Sequence, residues 1–234
     1  MTQAQADAER CGLVPEENDP SFFAQHLSAY AFVRPRVAGQ RILEIGFGDG
    51  YGAAYLAEAA AQVDAVDLVQ GNILPARAKY PRPNLSFHGF DGMLLPFPDG
   101  TFDAAGSFQV IEHVPEPQLL PWLKEIHRTL KPGGRFFVST LNLDHARKPG
   151  KPYEKLIYHE KEFTAPELEG LLKQVFGKVM MYGLRPTPVH RFFLRLKKWG
   201  LRWDPYFRRI TVRDYAAGAS GLRSCWDLIA VCEK

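Results

Sequence analysis

The most constraining feature of this chain is a glycine-rich turn between a short apolar segment and an alanine-rich segment. The apolar segment is Arg41–Ile45, the turn carries Gly46, Gly48 and Gly50, and the alanine-rich segment covers residues 52–61. A strand, a glycine turn and a helix in this order bring backbone N–H groups and a helix N-terminus close to a small molecule. The pattern therefore predicts a ligand pocket within an α/β fold.

The glycine spacing and the neighbouring acids narrow the choice of ligand. The dinucleotide fingerprint requires G-x-G-x-x-G, so that pyrophosphate can sit on the helix N-terminus. This turn reads G-x-G-x-G, with Glu44 before it and Asp49 inside it. These carboxylates would repel a pyrophosphate, and they suit a ligand with an ammonium, a sulfonium and ribose hydroxyls. Asp67 ends the next apolar segment, where it can accept hydrogen bonds from both hydroxyls of a ribose.

Five segments carry a family resemblance. Residues 44–50 resemble motif I of the class I S-adenosylmethionine-dependent methyltransferases, type 11-like. Four further segments resemble the later motifs of the family in the correct order, namely residues 63–67, 90–103, 107–114 and 130–136. The resemblance covers about residues 38–183 and implies an enzyme that uses S-adenosyl-L-methionine. Residues 14–16 and 26–32 also resemble the lead of bacterial members linked to cell-surface glycan gene sets.

The alternation of apolar and helical segments is typical of a parallel sheet covered on both faces. With the resemblance, it predicts an α/β, doubly wound, mostly parallel seven-stranded sheet with an antiparallel last strand, the Rossmann-like methyltransferase fold. One domain over residues 1–234 would contain a helical lead, 1–37, and an insertion, about 185–221, between the last two strands. Strands are predicted near residues 41–46, 62–67, 84–88, 103–108, 134–140, 178–184 and 225–231, and helices near 20–37, 52–61, 72–79, 116–130 and 164–175.

The resemblance implies roles for the residues of the turn, at the methionine end of the cofactor. Gly46 and Gly48 would let the methionine portion approach the backbone. Glu44 would steady its amino group through water. Asp49 and Gly50 complete this part of the predicted cofactor site.

At the nucleoside end, the resemblance implies that Asp67 binds the ribose hydroxyls and that Asp91 accepts from the adenine amino group. The Gly92 amide would lie near a ring nitrogen. Leu68 and Phe108 would provide apolar walls for the purine and the sulfonium. The residues alone leave simpler alternatives open, namely a turn role for Asp91 and a solvated strand end for Asp67.

Methyl transfer from a sulfonium is an in-line displacement with an excellent leaving group, so the protein mainly positions the acceptor. A hydroxyl acceptor also needs a general base. His113 is the predicted base, because it follows the fourth strand at the carboxyl edge, where open α/β sheets bind ligands. Alternatively, His113 only caps its loop or orients Glu112.

The acceptor pocket is predicted from the N-terminal helix, residues 141–163 and the insertion. The candidate substrate-binding residues are Tyr30, Asn142, Tyr158 and His159, with Tyr153 as a further candidate.

No metal site is predicted. Related enzymes that act on small-RNA 2′-hydroxyls and on ubiquinone precursors bind a divalent ion on a Glu-x-x-Glu-His stretch. Gln109 replaces the first acid of that stretch here, and a carboxylate ligand is thereby lost. A metal at Glu112, His113 and His159 remains an alternative.

Positive charge is concentrated in the insertion. The formal net charge is +3, and residues 185–213 hold nine Lys or Arg against the single acid Asp204, which leaves 20 basic and 25 acidic residues elsewhere. Basic and aromatic residues alternate over 191–199. The segment is predicted to be a solvated lid helix, or to bind an anionic substrate or membrane surface; nucleic acid is the least favoured partner.

The sequence therefore predicts transfer of a methyl group to a hydroxyl or amine of a small molecule or of a glycan or lipid precursor. The alternatives are an oxidoreductase using a nicotinamide dinucleotide, and a non-catalytic module that binds nucleic acid or membrane. A cytoplasmic location is expected from the absence of a signal-peptide pattern and of an apolar run of about 18 residues. Cys11, Cys225 and Cys232 are predicted to be reduced thiols. The sequence predicts no oligomeric state.

Overall fold

The central sheet is built from short strands that are almost wholly buried, because apolar clusters cover both of its faces. The computed structural model describes residues 13–147, 150, 152–201 and 203–234. Neighbouring strand residues such as Ile42 and Leu43 belong to different buried clusters, as expected when successive side chains point to opposite faces. The strands are β1 (Arg41–Ile45), β2 (Gln62–Asp67), β3 (Leu85–Gly89), β4 (Phe102–Phe108), β5 (Leu130–Leu141), β6 (Lys178–Pro186), β7 (Tyr215–Gly218) and β8 (Asp227–Glu233).

The five helices predicted within the resemblance and the lead are present with shifted ends, and further helices follow β5 and β6. In the predicted helix 20–37, the α-helix ends at Val33 and a 3-10 turn, Arg34–Arg36, follows, since Pro35 interrupts the helical hydrogen bonds. The helices are α1 (Pro20–Val33), α2 (Tyr51–Leu56), α3 (Ile73–Lys79), α4 (Glu116–Thr129), α5 (Leu143–Ala146), α6 (Ala165–Leu172), α7 (Pro188–Lys198) and α8 (Asp204–Phe207).

The strand order is β3-β2-β1-β4-β5-β8-β6-β7. β1 to β5 are mutually parallel where they pair, and β8 is antiparallel to both β5 and β6. The doubly wound, mostly parallel sheet is confirmed, but the predicted count of seven strands is wrong. The eighth strand, β7, lies within the insertion and pairs with the end of β6, from Gly183↔Gly218 to Pro186↔Tyr215.

The carboxyl ends of β1, β2, β4, β5 and β6 meet at one edge of the sheet. Leu141 of β5 and Leu184 of β6 both pair with Asp227, which begins β8. Ligands of open α/β sheets bind at this edge. The insertion leaves β6 at the same edge and holds α7, α8 and β7.

Residues 1–12 of the predicted lead, which include Cys11, lie outside the described residues. Cys225 and Cys232 are buried free thiols. Among the described residues, no helix has the length and apolar character needed to span a membrane.

Candidate active site

The glycine turn connects β1 to α2 and is packed tightly from two sides. Gly46 has φ +80°, and a Cβ there would lie 2.5 Å from Val110 Cγ2. A Cβ at Gly52, in the first turn of α2, would lie 2.2 Å from the ring of Tyr30. Glycine is therefore required at both positions. Gly46 is required by its positive φ and by close packing, and Gly52 by close packing alone.

Glu44 is fully buried at the end of β1, and its carboxylate is only partly satisfied. The Tyr30 hydroxyl donates to Glu44 Oε1 at 2.7 Å, whereas Oε2 has no hydrogen-bond partner among the described residues. Burial raises the pKa of Glu44 to about 8. A buried carboxylate with a free oxygen is prepared to pair with a cation, because an unpaired buried charge is costly.

Asp67 ends β2 and faces the turn. Its Oδ2 accepts from the Gly48 amide at 2.8 Å, and its Oδ1 accepts from the Val69 amide at 2.8 Å. Burial raises its pKa, whereas these two amides act in the opposite direction. The alternative of a solvated strand end does not apply, since Asp67 is buried. The amides hold the carboxylate in place and leave lone pairs for ligand hydroxyls.

Asp49 lies in the glycine turn and is hydrogen-bonded to two side chains at the end of α3. Its Oδ2 accepts from Lys79 Nζ at 2.9 Å, and its Oδ1 accepts from the Tyr80 hydroxyl at 2.6 Å. Asp49 was predicted to be a free acid beside the ligand, but its carboxylate is paired with Lys79, which also binds Glu16. Asp67 supplies negative charge at the turn, and the buried Glu44 adds to it when a cation pairs with its carboxylate.

The predicted adenine-binding residues lie together beyond β2 and β3. A Cβ on Gly92 would lie 3.5 Å from Leu68 Cδ1, and Leu68 is exposed. Asp91 Oδ1 accepts from the amides of Met93 and Leu94, at 2.8 and 2.7 Å, which lowers the pKa of Asp91. The turn role considered for Asp91 is therefore present. Its other oxygen remains exposed to a ligand.

Phe108, at the end of β4, packs against Tyr30 with ring centroids 4.1 Å apart. Tyr30 was predicted in the acceptor pocket. The structure instead places it between Glu44, Gly52 and Phe108, so it lies beside the glycine turn.

His113 and His159 meet just beyond β4, with ring centroids 5.0 Å apart. His113 Nδ1 donates to the Tyr158 carbonyl at 2.9 Å, and His159 Nδ1 donates to Glu162 Oε1 at 2.7 Å. In the neutral rings, both Nε2 atoms are then unprotonated. The two residues are 46 positions apart in the sequence, and the Tyr158 segment brings them together.

Asn142 was predicted to bind the substrate, but its side chain is occupied by other parts of the protein. Its amide donates to the Leu222 and Cys225 carbonyls at 2.7 and 2.8 Å, and its Oδ1 accepts from the Asp144 amide at 3.2 Å. Because the side chain is fully buried and hydrogen-bonded, it ties β5 to the loop before β8 rather than contacting a ligand.

Comparison with known proteins places the glycine turn and β2 to β5 in one family. Residues 43–138 match the family described as "Methyltransferase domain". This segment is a methyltransferase domain. Relatives of this domain are named as S-adenosylmethionine-dependent, and a solved neighbour holds S-adenosylhomocysteine, so S-adenosyl-L-methionine is its cofactor.

A probable S-adenosylmethionine-dependent methyltransferase of Mycolicibacterium smegmatis is 37% identical over 158 residues, 68% of this chain and 59% of the relative. This chain thus spans about three fifths of that relative's length. The ubiquinone biosynthesis O-methyltransferase of Xanthomonas oryzae pv. oryzae is 33% identical over 125 residues, 48% of each protein. The structure of Burkholderia thailandensis 1,6-didemethyltoxoflavin-N1-methyltransferase, with S-adenosylhomocysteine bound, has a TM-score of 0.61 at 21% identity, and the match covers 100% of this chain and 90% of that one.

A cluster of side chains beyond β4 could hold a divalent cation. Ligand atoms of Glu112, His113 and His159 all lie within 4.8 Å of one another. Glu112 is buried, its Oε2 has no hydrogen-bond partner among the described residues, and burial raises its pKa to about 7. Two imidazoles held through Nδ1 and one carboxylate match the donors that Zn²⁺ and similar ions take. The residues fit a cation although Gln109 replaces the first acid.

Sequence reasoning missed Glu162, and it did not detect the unusual backbone of Gln109. Glu162 is buried and holds His159, and it also accepts from the Tyr153 hydroxyl. Gln109 has φ +56° and is the only non-glycine residue with positive φ in the described part of the chain. Strained backbone of this kind concentrates at functional sites. The position of Gln109 directly after β4 was the available signal.

Proposed function

We propose that this chain transfers the methyl group of S-adenosyl-L-methionine to a hydroxyl or amine by in-line displacement, with His113 as general base. The acceptor is a small molecule or a glycan or lipid precursor. The observation that carries the proposal is the pairing of His113 Nδ1 with the Tyr158 carbonyl, which leaves Nε2 free to take a proton.

The cofactor lies along the carboxyl edge from the glycine turn to the Leu68–Gly92 region. Gly46, Gly48 and Gly50 allow the methionine portion to approach, and Glu44 offers its unpartnered oxygen to the ammonium group. Asp67 binds the ribose hydroxyls. Leu68, Asp91, Gly92 and Phe108 surround the purine and the sulfonium.

The base lies close to the methionine end of this path. Val110, three residues before His113, packs on Gly46. The short 3-10 helix Ile111–His113 then carries His113 into contact with the Tyr158 segment. An acceptor between His113 and the methyl donor would be deprotonated as the C–O bond forms. His159 and Tyr158 line the same side.

A hydroxyl acceptor is favoured over an amine, since an alcohol requires a base and His113 supplies one. The relative from Xanthomonas oryzae is named as an O-methyltransferase, which supports this choice. The nicotinamide and non-catalytic alternatives lose support, because the match to the methyltransferase domain covers the turn, Asp67 and Asp91.

A second candidate mechanism rests on the partnerless Glu112 oxygen and the two free Nε2 atoms. Glu112, His113 and His159 would hold a divalent cation, and Glu162 would fix the orientation of His159. A bound cation would supply Lewis-acid activation of the acceptor hydroxyl. In that case, His113 binds the ion and is not the base.

Two titrations and one screen test the proposal. Calorimetry with S-adenosylhomocysteine and with NADH should show binding of the first only; binding of NADH alone would overturn it. Extracts incubated with the protein and methyl-labelled cofactor should yield a labelled product that mass spectrometry identifies.

Titration with Zn²⁺ and Mn²⁺, for the native protein and Glu112→Gln, separates the two mechanisms. Metal binding that Glu112→Gln abolishes supports the cation.

A further inference from the structure

Helix α7 has an apolar stripe on its outer face. Val189, Phe192, Leu196 and Trp199 recur at alternating spacings of three and four, so they share one side of the helix. Phe192 is 56% and Trp199 74% exposed. The stripe continues into the following loop. The α7 surface is defined by the exposed Val189, Phe192, Trp199, Leu201 and Trp203 and the half-buried Leu196.

The other face of α7 already packs on the protein. His190 is fully buried, and its Nδ1 lies 3.0 Å from the Tyr206 hydroxyl. Phe193 stacks on Tyr206 with ring centroids 3.8 Å apart, and Lys197 Nζ lies 5.1 Å from the Phe207 ring. These contacts hold the helix in place, so the exposed stripe is not needed to dock it.

A basic row borders the stripe. Arg191, Arg195 and Lys198 each precede a stripe residue by one position, and all three are exposed. Among the described residues, none of the three has an acidic partner at ion-pair distance. Unpaired cations beside exposed aromatic side chains are typical of helices that lie in the interface of an anionic membrane.

The α7 surface is connected to the cofactor site through α1. His190 Nε2 lies 3.4 Å from the Ser21 hydroxyl, and the Tyr215 hydroxyl donates to the Ser21 carbonyl at 2.8 Å. At the other end of α1, Tyr30 donates to Glu44. α7 also begins at the sheet edge where the cofactor turn lies.

We propose that the α7 surface docks onto an anionic lipid bilayer. The apolar stripe inserts among the lipid headgroups, and Arg191, Arg195 and Lys198 contact lipid phosphates. The docking does not depend on the proposed methyl transfer. If both hold, a lipid-borne acceptor would reach the site from the bilayer.

Co-sedimentation of the full chain with vesicles, without cofactor, tests the proposal. Vesicles of phosphatidylcholine alone and with about 30 mol% phosphatidylglycerol should separate neutral from anionic binding. The protein should bind only the anionic vesicles, and R191E/R195E should weaken binding by at least about tenfold. The matched control K124E/R223E changes the net charge equally at exposed sites elsewhere, and it should stay within about twofold.

The apolar contribution is tested separately. F192S/W199S should weaken vesicle binding by about tenfold or more at high as well as low salt, because apolar insertion is not screened. Tryptophan emission of the native protein should shift to the blue on adding anionic vesicles, and W199F/W203F should lose the shift. Absence of sedimentation and of the shift in the native protein would overturn the proposal. Equal weakening by the control, or binding of a single-stranded RNA oligonucleotide without vesicle binding, would also overturn it.

Discussion

The cofactor side and the acceptor side of this protein are built differently. On the cofactor side, Asp67 is held by the amides of Gly48 and Val69, which are 19 and 2 positions away along the chain. On the acceptor side, His113 is held by Tyr158, and the loop that follows β5 is held by Asn142 through Leu222 and Cys225. Short-range motifs therefore define the first side, whereas contacts between distant segments define the second.

The two sides nevertheless share one feature, a buried glutamate with an unpaired carboxylate oxygen. Glu44 and Glu112 are both buried, and each has one carboxylate oxygen without a hydrogen-bond partner among the described residues. Burial raises the pKa of both groups. Each side thus offers a buried acid that a cation would stabilise, either the ammonium of the cofactor or a metal ion. Substitutions can separate the two.

The largest expected effect is on turnover. His113→Ala should lower the methyl-transfer rate by about 10²–10⁴-fold, because it removes the general base, and should leave affinity for S-adenosylhomocysteine within about twofold. Labelled transfer to the acceptor fraction and calorimetry measure the two quantities. His88→Ala, at a partly exposed histidine paired with Asp64, is the control and should change neither. Equal loss of both quantities in His113→Ala would make the residue structural.

The next effect is on cofactor affinity. Asp67→Ala should weaken binding of S-adenosylhomocysteine by about 3 kcal/mol, roughly 100-fold, because two charge-assisted hydrogen bonds are lost. Asp49→Ala is the matched control in the same turn, and it should cost less than about threefold, since Asp49 pairs with Lys79. Calorimetry on both variants measures the difference. The corrected role of Asp49 would be wrong if the two variants lost affinity equally.

A third effect concerns stability on the acceptor side. Asn142→Ala should leave the Leu222 and Cys225 carbonyls unpaired, which costs about 1–3 kcal/mol and lowers Tm by roughly 3–10 °C. Differential scanning fluorimetry measures the shift. An unchanged Tm together with an increased KM for the acceptor would restore Asn142 as a substrate-binding residue.

The sequence predicted the positions of seven strands and the glycine turn, because strand periodicity and glycine spacing are local signals. It missed β7, because Tyr215–Gly218 is short and becomes a strand only by pairing with the end of β6. It misjudged Asp49 and Asn142, whose partners lie 30 and about 80 residues away. It placed His159 among the active-site candidates, but Glu162, which orients that ring, could be identified only from the folded structure.

The smallest expected effect is the release of a proton when the cofactor binds. Burial raises the pKa of Glu44 from 4.5 to about 8, so the free protein carries this proton at pH 7. An ammonium beside the carboxylate lowers the pKa again, and binding should therefore release up to about one proton and tighten as the pH rises from about 6 to 7.5. Calorimetry in buffers of different ionisation enthalpy counts the protons. Glu44→Gln should abolish the release; proton uptake by the native protein would contradict the assignment.

A crystal structure of the complex with S-adenosylhomocysteine tests the central claim most directly. The account predicts that the Asp67 carboxylate accepts hydrogen bonds from both ribose hydroxyls, with the homocysteine amino group on the Glu44 side of the turn and the purine beside Leu68. A complex in which the nucleoside binds elsewhere, while Asp67 keeps only the amides of Gly48 and Val69, would contradict it.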